Sequence, residues 1–230
     1  FEKWLDEKFG DKLVKVIMVF ASILGVALAV ALFFFLPSFL FDLTANVVPV
    51  FQGNGESAVF WKSVFEGVLK IALFLGYIVL CSQMTEMKRV FMYHGAEHKT
   101  IFCYENEEEL TVENVRKQIR FHPRCGTSFM VLMLIVGIVI GLFIPVAPFG
   151  IGFLRPVFKI LLLPVSCGIG YELIKICGKH DNAFTRVIAA PGLWAQRITT
   201  KEPDDKMIEV AIEAMKAVIP DDGTDIINNK

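Results

Sequence analysis

From Val16 to Phe41 the chain carries no charged residue. A helix needs roughly 20 apolar residues to cross a hydrocarbon core of about 30 Å, so this run is a membrane-spanning helix whatever the rest of the sequence folds into. The composition agrees: 54% of the 230 residues are hydrophobic and the mean hydropathy is +0.55, too apolar for one soluble core to hide. The expected fold class is an all-α membrane protein with about four transmembrane helices and a small helical cytoplasmic domain.

The first span, 16–41, follows an interfacial amphipathic segment, 1–15, in which Phe1, Trp4, Leu5 and Phe9 sit among charges. A second span, 64–84, carries Glu66 and Lys70 near one end, at a spacing that lets them pair on one helix face or snorkel to the headgroups. Pro145, Pro148, Gly150 and Gly152 break the uncharged stretch after Gly126, which predicts a third span at 128–144 and a tight turn. The chain returns through a short, kinked fourth pass at 157–174, with Lys159 and Glu172 near its ends and Pro164 in the middle, a re-entrant segment being the alternative. In the C-terminal region 175–230, Ala183 to Ile198 reads as a second interfacial segment, and Met207, Val210, Ala211, Ala214 and Val218 predict an amphipathic helix over 204–219, ended by Pro220. The tail after Asp221 is expected to fray.

Orientation follows from the basic residues. The segment 85–127 holds Lys88, Arg89, Lys99, Arg116, Lys117, Arg120 and Arg124, and both terminal flanks are rich in Lys and Arg, whereas the other two connections hold only Lys62 and Arg155. Basic flanks face the cytoplasm, so both termini and segment 85–127 are expected inside a plasma membrane. Lys+Arg (23) and Asp+Glu (24) nearly cancel, and nothing in the charge points to nucleic acid. Five irregularly spaced cysteines argue for a reducing compartment and against a disulfide framework. With no initiator Met and no signal-peptide n-region ahead of the first run, a trimmed start is expected rather than secretion.

Three of the four histidines fall in segment 85–127. His94 and His98, with Glu97 beside them, lie one turn apart on one helix face, a spacing at which two neutral imidazoles reach one divalent ion at about 2.0–2.1 Å. His-x-x-Glu-His is also the inverzincin order, in which the Glu activates water. A second cluster, His122-Pro123-Arg124-Cys125, places an imidazole and a thiol three residues apart, a pair that suits zinc. A helix from Val112 to Phe121, capped by Thr111, carries the second cluster back toward the first.

The bland readings stand beside these. Paired histidines are also ordinary interfacial side chains, and four ligands closing on one ion make a structural site, since an enzyme needs an open position. Glu172, a carboxylate at the end of an apolar pass, calls for a metal, a proton or a cation, with Lys175 or Lys179 as the plain partner. Arg120 and Arg124 suit a phosphate or carboxylate, or a basic rim against anionic lipid. His180-Asp181 reads as an outer-shell pair, a third ligand or a polar loop, the acidic run 105–109 as a solvated loop, and Cys81 and Cys103 as buried thiols.

The strings Tyr93-His94-Gly95-Ala96-Glu97-His98-Lys99, Arg120 through Ser128, Pro191-Gly192-Leu193-Trp194 and Thr199 through Pro203 resemble the YqhQ-like family of bacterial membrane proteins over nearly the whole chain. The resemblance implies a bacterial plasma-membrane location, a family described mainly as uncharacterised membrane proteins or as predicted metal-dependent enzymes, and His94, Glu97, His98, His122 and Cys125 as the functional cluster. It supplies no substrate.

Two functions follow from different classes. In the first, a membrane-embedded hydrolase, His94 and His98 hold zinc, His122 or Cys125 completes the ligands, Glu97 is the general base, and Arg120 or Arg124 steadies an anionic intermediate. In the second, a non-enzymatic assembly factor works beside other membrane proteins such as a translocation channel, its cytoplasmic part braced by zinc or by a polar knot. A transporter ranks third, because Glu66, Lys70, Lys159 and Glu172 alone fall inside spans and none lies near a bilayer centre.

Overall fold

A computed structural model describes residues 2–45, 47–52, 55–180 and 182–220, with side chains from residue 13 onward except 50 and 52. Among the described residues the fold is all-α. The helices are α1 Glu2–Val30, α2 Leu36–Ala45, α3 Glu56–Cys81, α4 Thr85–Glu105 and α5 Val112–Lys117. They continue with α6 Gly126–Gly141, α7 Leu154–Leu161, α8 Leu163–Lys179, α9 Ala183–Thr199 and α10 Asp205–Lys216. The chain divides into two units, Phe1–Lys70 with Gly141–Leu161, and Ile71–Ile140 with Leu162–Lys230.

In the first unit, α1 and α2 join through a widened π turn, Ala31–Phe35, into one apolar helix over Leu13–Ala45. The turn precedes Pro37, which has no N–H to return to the preceding turn. Phe41, 2% exposed, packs on Phe51 and Phe65 at ring distances of 5.1 and 5.6 Å. On α3, Glu66 does not pair with Lys70 one turn on. It is buried and held by Lys159 and Arg155 of α7, inside the unit.

The second unit is built on α4. Its apolar face meets α5 and α10 in a cluster of Ala96, Cys103, Val115, Met207, Ile208 and Ile212. Each partner helix has a side-chain cap: Thr111 accepts from Asn114 N–H, and Asp204 from Met207 N–H at 2.9 Å. Helix α5 ends at Lys117 rather than running to Phe121, and side chains of α4 take carbonyls in its last turn and after it: Lys99 donates to Arg116 O at 3.0 Å and His98 to Arg120 O at 2.6 Å. An Asn182–Thr185 capping box starts α9, and the bare backbone of Gly192 lies against Ser128 of α6, where a Cβ would come within 2.6 Å of the serine Cβ.

Two helices, Leu13–Ala45 and Glu56–Cys81, are long and apolar enough to cross a membrane, and α7 with α8 makes a third if that broken pair counts as one span. This is fewer than the four passes expected. Helix α6 stops at Gly141 ahead of Pro145, and its 16 residues fall short of the roughly 20 a full crossing needs. The fourth pass is interrupted at Leu162, because Pro164 opens α8 and cannot carry the hydrogen-bond ladder through from α7. The side chains of the expected interfacial segment from Phe1 to Phe9, residue Asp181 and the tail from Asp221 lie outside the described residues.

Candidate metal centre

His94 and His98 project from one face of α4 with ring centroids 4.4 Å apart. A carbonyl oxygen can only accept, so the Nδ1–H of His94 donates to Thr199 O at 2.8 Å and that of His98 to Arg120 O at 2.6 Å. Both rings are thereby oriented from behind, and in the neutral form each keeps its lone pair on Nε2, the arrangement common to metal-ligating histidines. The Nε2 of His94 stands 3.2 Å from Sγ of Cys125, the residue before α6, whose sulfur also accepts from Thr127 N–H at 3.3 Å. Burial opposes ionisation of that thiol, but hydrogen bonds with His94 and His98, whose Nε2 donates to sulfur only when the ring is protonated on both nitrogens, and from the Thr127 amide prevail and bring it down to about 5. Burial likewise disfavours charge on His94, and its bonds to Cys125 and Thr199 more than offset this, raising it above the ordinary value.

The ligand atoms of His94, His98 and Cys125 lie within 4.8 Å of one another, a spread that an ion with bonds of about 2.0–2.3 Å can gather. The donor set fits the metal: two imidazoles and a thiolate suit zinc and do not suit calcium or magnesium. The three line an open cleft of about 410 Å³ that is also bordered by Glu97, Ile101, Glu105, Arg124 and Met215.

His122 borders the same cleft but turns its nitrogens elsewhere. Its Nδ1 accepts from Arg124 N–H at 3.2 Å, so the proton is on Nε2, which faces Glu105 Oε2 at 3.2 Å. Glu105 also pairs with Arg124. Burial raises the Glu105 carboxyl, yet His122 and Arg124 hold it below the usual carboxylate range.

A family model described as "protein of unknown function (DUF1385)" matches residues 2–221. The chain belongs to the DUF1385 family. It is 41% identical over 188 residues to the uncharacterized protein YqhQ of Bacillus subtilis (strain 168), an alignment covering 79% of this chain. The chain spans 58% of that relative's length. No solved structure matches it.

The remaining sequence candidates of this DUF1385 protein scatter. Glu172 is an exposed carboxylate 3.7 Å from Lys175, the plain partner. His180 is exposed and its carbonyl accepts from Thr185 Oγ1 at 2.8 Å, which makes it part of the α9 cap. Arg120 pairs with Glu202 at 2.8 Å, and the same carboxylate takes Lys99. Sequence reasoning missed three residues that build the DUF1385 site. Glu105 shares the α4 stripe with His94 and His98 and was readable there, although its place in an acidic run hid it. Thr199, which orients His94, and Gln196, which holds the backbone of His122, belong to α9 and carried no local signal.

Proposed function

We propose that this protein is a membrane-embedded, metal-dependent hydrolase of the bacterial plasma membrane, with a divalent ion, zinc by ligand type, held by His94, His98 and Cys125 on the cytoplasmic side. One observation carries the reading: three donors converge on an open cleft while His122 is engaged with Glu105 and Arg124, which leaves a coordination position for substrate or water. When bound, the ion supplies Lewis acidity toward a substrate oxygen and acidifies water. Glu97 borders the cleft, and in this reading it takes the proton from an attacking water. Arg124, which also lines the cleft and pairs with Glu105, is in this reading the cation that steadies an anionic intermediate. The basic residues of segment 85–127 support the cytoplasmic assignment, and both termini lie on that side if α6 and the α7–α8 pair enter and leave together.

The test is elemental analysis of protein purified from zinc-supplemented cells, followed by turnover of ester, amide and phosphoester substrates. One zinc per chain, lost in His94→Ala, is expected, with Glu97→Gln retaining zinc and losing turnover. A metal-free wild type sinks the proposal. The second reading, a non-enzymatic assembly factor acting beside a membrane partner such as a translocation channel, draws on the buried knot of His122, Gln196 and Glu105, which braces the unit without any ion. A fourth protein ligand counted by X-ray absorption would favour that reading, because a closed shell has no place for substrate.

A further inference from the structure

A separate set of ionisable groups lies wholly within the first unit. Along α3, Lys62, Ser63, Glu66 and Lys70 recur on one face over about 12 Å of helix. Because α3 runs from Glu56 to Cys81 and not from 64 to 84, Lys70 falls near the middle of this apolar helix and not near its end, which corrects the sequence expectation that no charged residue lies far inside a span. Lys62, fully buried, pairs with Asp42 of α2 at 2.5 Å. Glu66 pairs with Lys159, and its other oxygen lies 3.5 Å from Nε of the fully buried Arg155. The guanidinium of Arg155 is turned to the end of α6, donating to Gly141 O at 3.1 Å, to Pro145 O at 2.9 Å and to the carbonyl of Ile144, and to Ser63 Oγ at 2.8 Å.

The balance of this face is cationic. Lys62, Lys70, Arg155 and Lys159 stand against Asp42 and Glu66. Lys70 makes no ion pair among the described residues; its ammonium lies 4.8 Å from the centre of the Phe34 ring and is only half-buried, so it is within reach from outside. Glu66 Oε1 and Arg155 Nε face each other at 3.5 Å without a formed hydrogen bond, so this one carboxylate is shared by Arg155 and Lys159 and leaves Lys70 without a counter-ion among the described residues. Charge left uncompensated in a membrane helix is costly, and such groups mark substrate and ion sites when they face the protein interior.

We propose that this face of the first unit is a binding site for a phosphate group within the membrane, contacted by Lys70, with Lys159 and Arg155 supplying the cationic field behind it. Phosphate suits the excess: it is anionic and offers several acceptor oxygens to the Lys70 ammonium, while the buried charges of Arg155 and Lys159 act on it through their field alone. Glu66 is the internal carboxylate against which the ligand competes. This site shares no residue with the His94, His98 and Cys125 centre, so either assignment can fail without the other.

The chemistry is common to a phospholipid headgroup and to free phosphate, and two arms separate them. In the first, full-length protein in phosphatidylcholine nanodiscs is titrated with inorganic phosphate by calorimetry. In the second, phosphatidylglycerol is added to the nanodiscs and the lipid retained per chain is counted by native mass spectrometry. Saturable binding is expected in at least one arm, weakened about tenfold in Lys70→Gln and kept within about threefold in Lys70→Arg. Lys70 has no ion pair to break, so both variants should keep the wild-type melting profile. Saturation in the phosphate arm identifies a free-anion site; saturation with phosphatidylglycerol alone identifies a lipid site. Absence of saturable binding by wild type in both arms overturns the proposal, as does Lys70→Gln binding like wild type.

Discussion

The side chain of Gln196 completes both backbone hydrogen bonds of His122: its Oε1 accepts from the amide at 2.8 Å and its Nε2 donates to the carbonyl at 2.7 Å. Gln196 is fully buried, and the same Nε2 donates to Ser128 Oγ at 2.7 Å. One carboxamide on α9 thus does for the His122 loop what a neighbouring strand does in a sheet. Gln196→Ala strands a buried N–H and a buried carbonyl, each unmade bond costing about 1–3 kcal/mol. A loss of about 2–4 kcal/mol in unfolding free energy is expected from denaturant titration of the purified protein in detergent; an unchanged midpoint would show that water replaces the carboxamide.

Gly95 lies between the site histidines because α4 passes against the backbone of Lys201, whose N–H donates to Phe91 O at 2.8 Å. A Cβ at position 95 would sit 2.1 Å from Lys201 O, a backbone atom that cannot swing aside. Gly95→Ala is therefore expected to cost about 3 kcal/mol or more and to displace the neighbouring Thr199 carbonyl from His94. Thermal unfolding reads the first effect and zinc content the second; wild-type values for both would refute the close packing.

The ligand set has a direct test in two substitutions. His98→Ala removes an Nε2 donor and should reduce bound zinc at least about tenfold, whereas His122→Ala, whose nitrogens serve Arg124 and Glu105, should keep it within about threefold. Competition with a chromogenic chelator measures both. Equal losses would place His122 back among the ligands.

Acid should release the Glu105 knot. The folded-state carboxyl is held below its ordinary value of 4.5, so the unfolded chain binds the proton first as pH falls. The contribution is present above 4.5 and disappears as pH drops through the lower folded value. Glu105→Gln should lower stability at neutral pH and flatten its decline on acidification. Unfolding midpoints followed across that range decide it; parallel curves for wild type and variant would exclude Glu105 as a source of the acid sensitivity.

Much of this architecture was legible residue by residue. The uncharged run from Val16 to Phe41 demanded a spanning helix, the Thr111 cap located the start of α5, and the apolar stripe from Met207 to Val218 located α10. These readings succeeded because they rest on neighbours within one or two turns. Glu66 was open to misreading for the converse reason: Lys70 is its neighbour on the helix, but Lys159 and Arg155 are its neighbours in space. The end of α6 was placed at 144 rather than at Gly141 because apolar composition continues past Gly141 while the helix does not.

The chain alone therefore determined the helical class, the long apolar spans and the pairing of His94 with His98, since helical periodicity sets the side-chain directions of residues four apart. Packing decided which other groups join them. Whether an imidazole can ligate depends on which nitrogen holds the proton, and that is set by the acceptors packing brings to it: Thr199 O from α9 for His94, Arg120 O from the loop after α5 for His98, and Glu105 at the end of α4 for His122. Those partners lie 105, 22 and 17 residues away, beyond the reach of any local pattern.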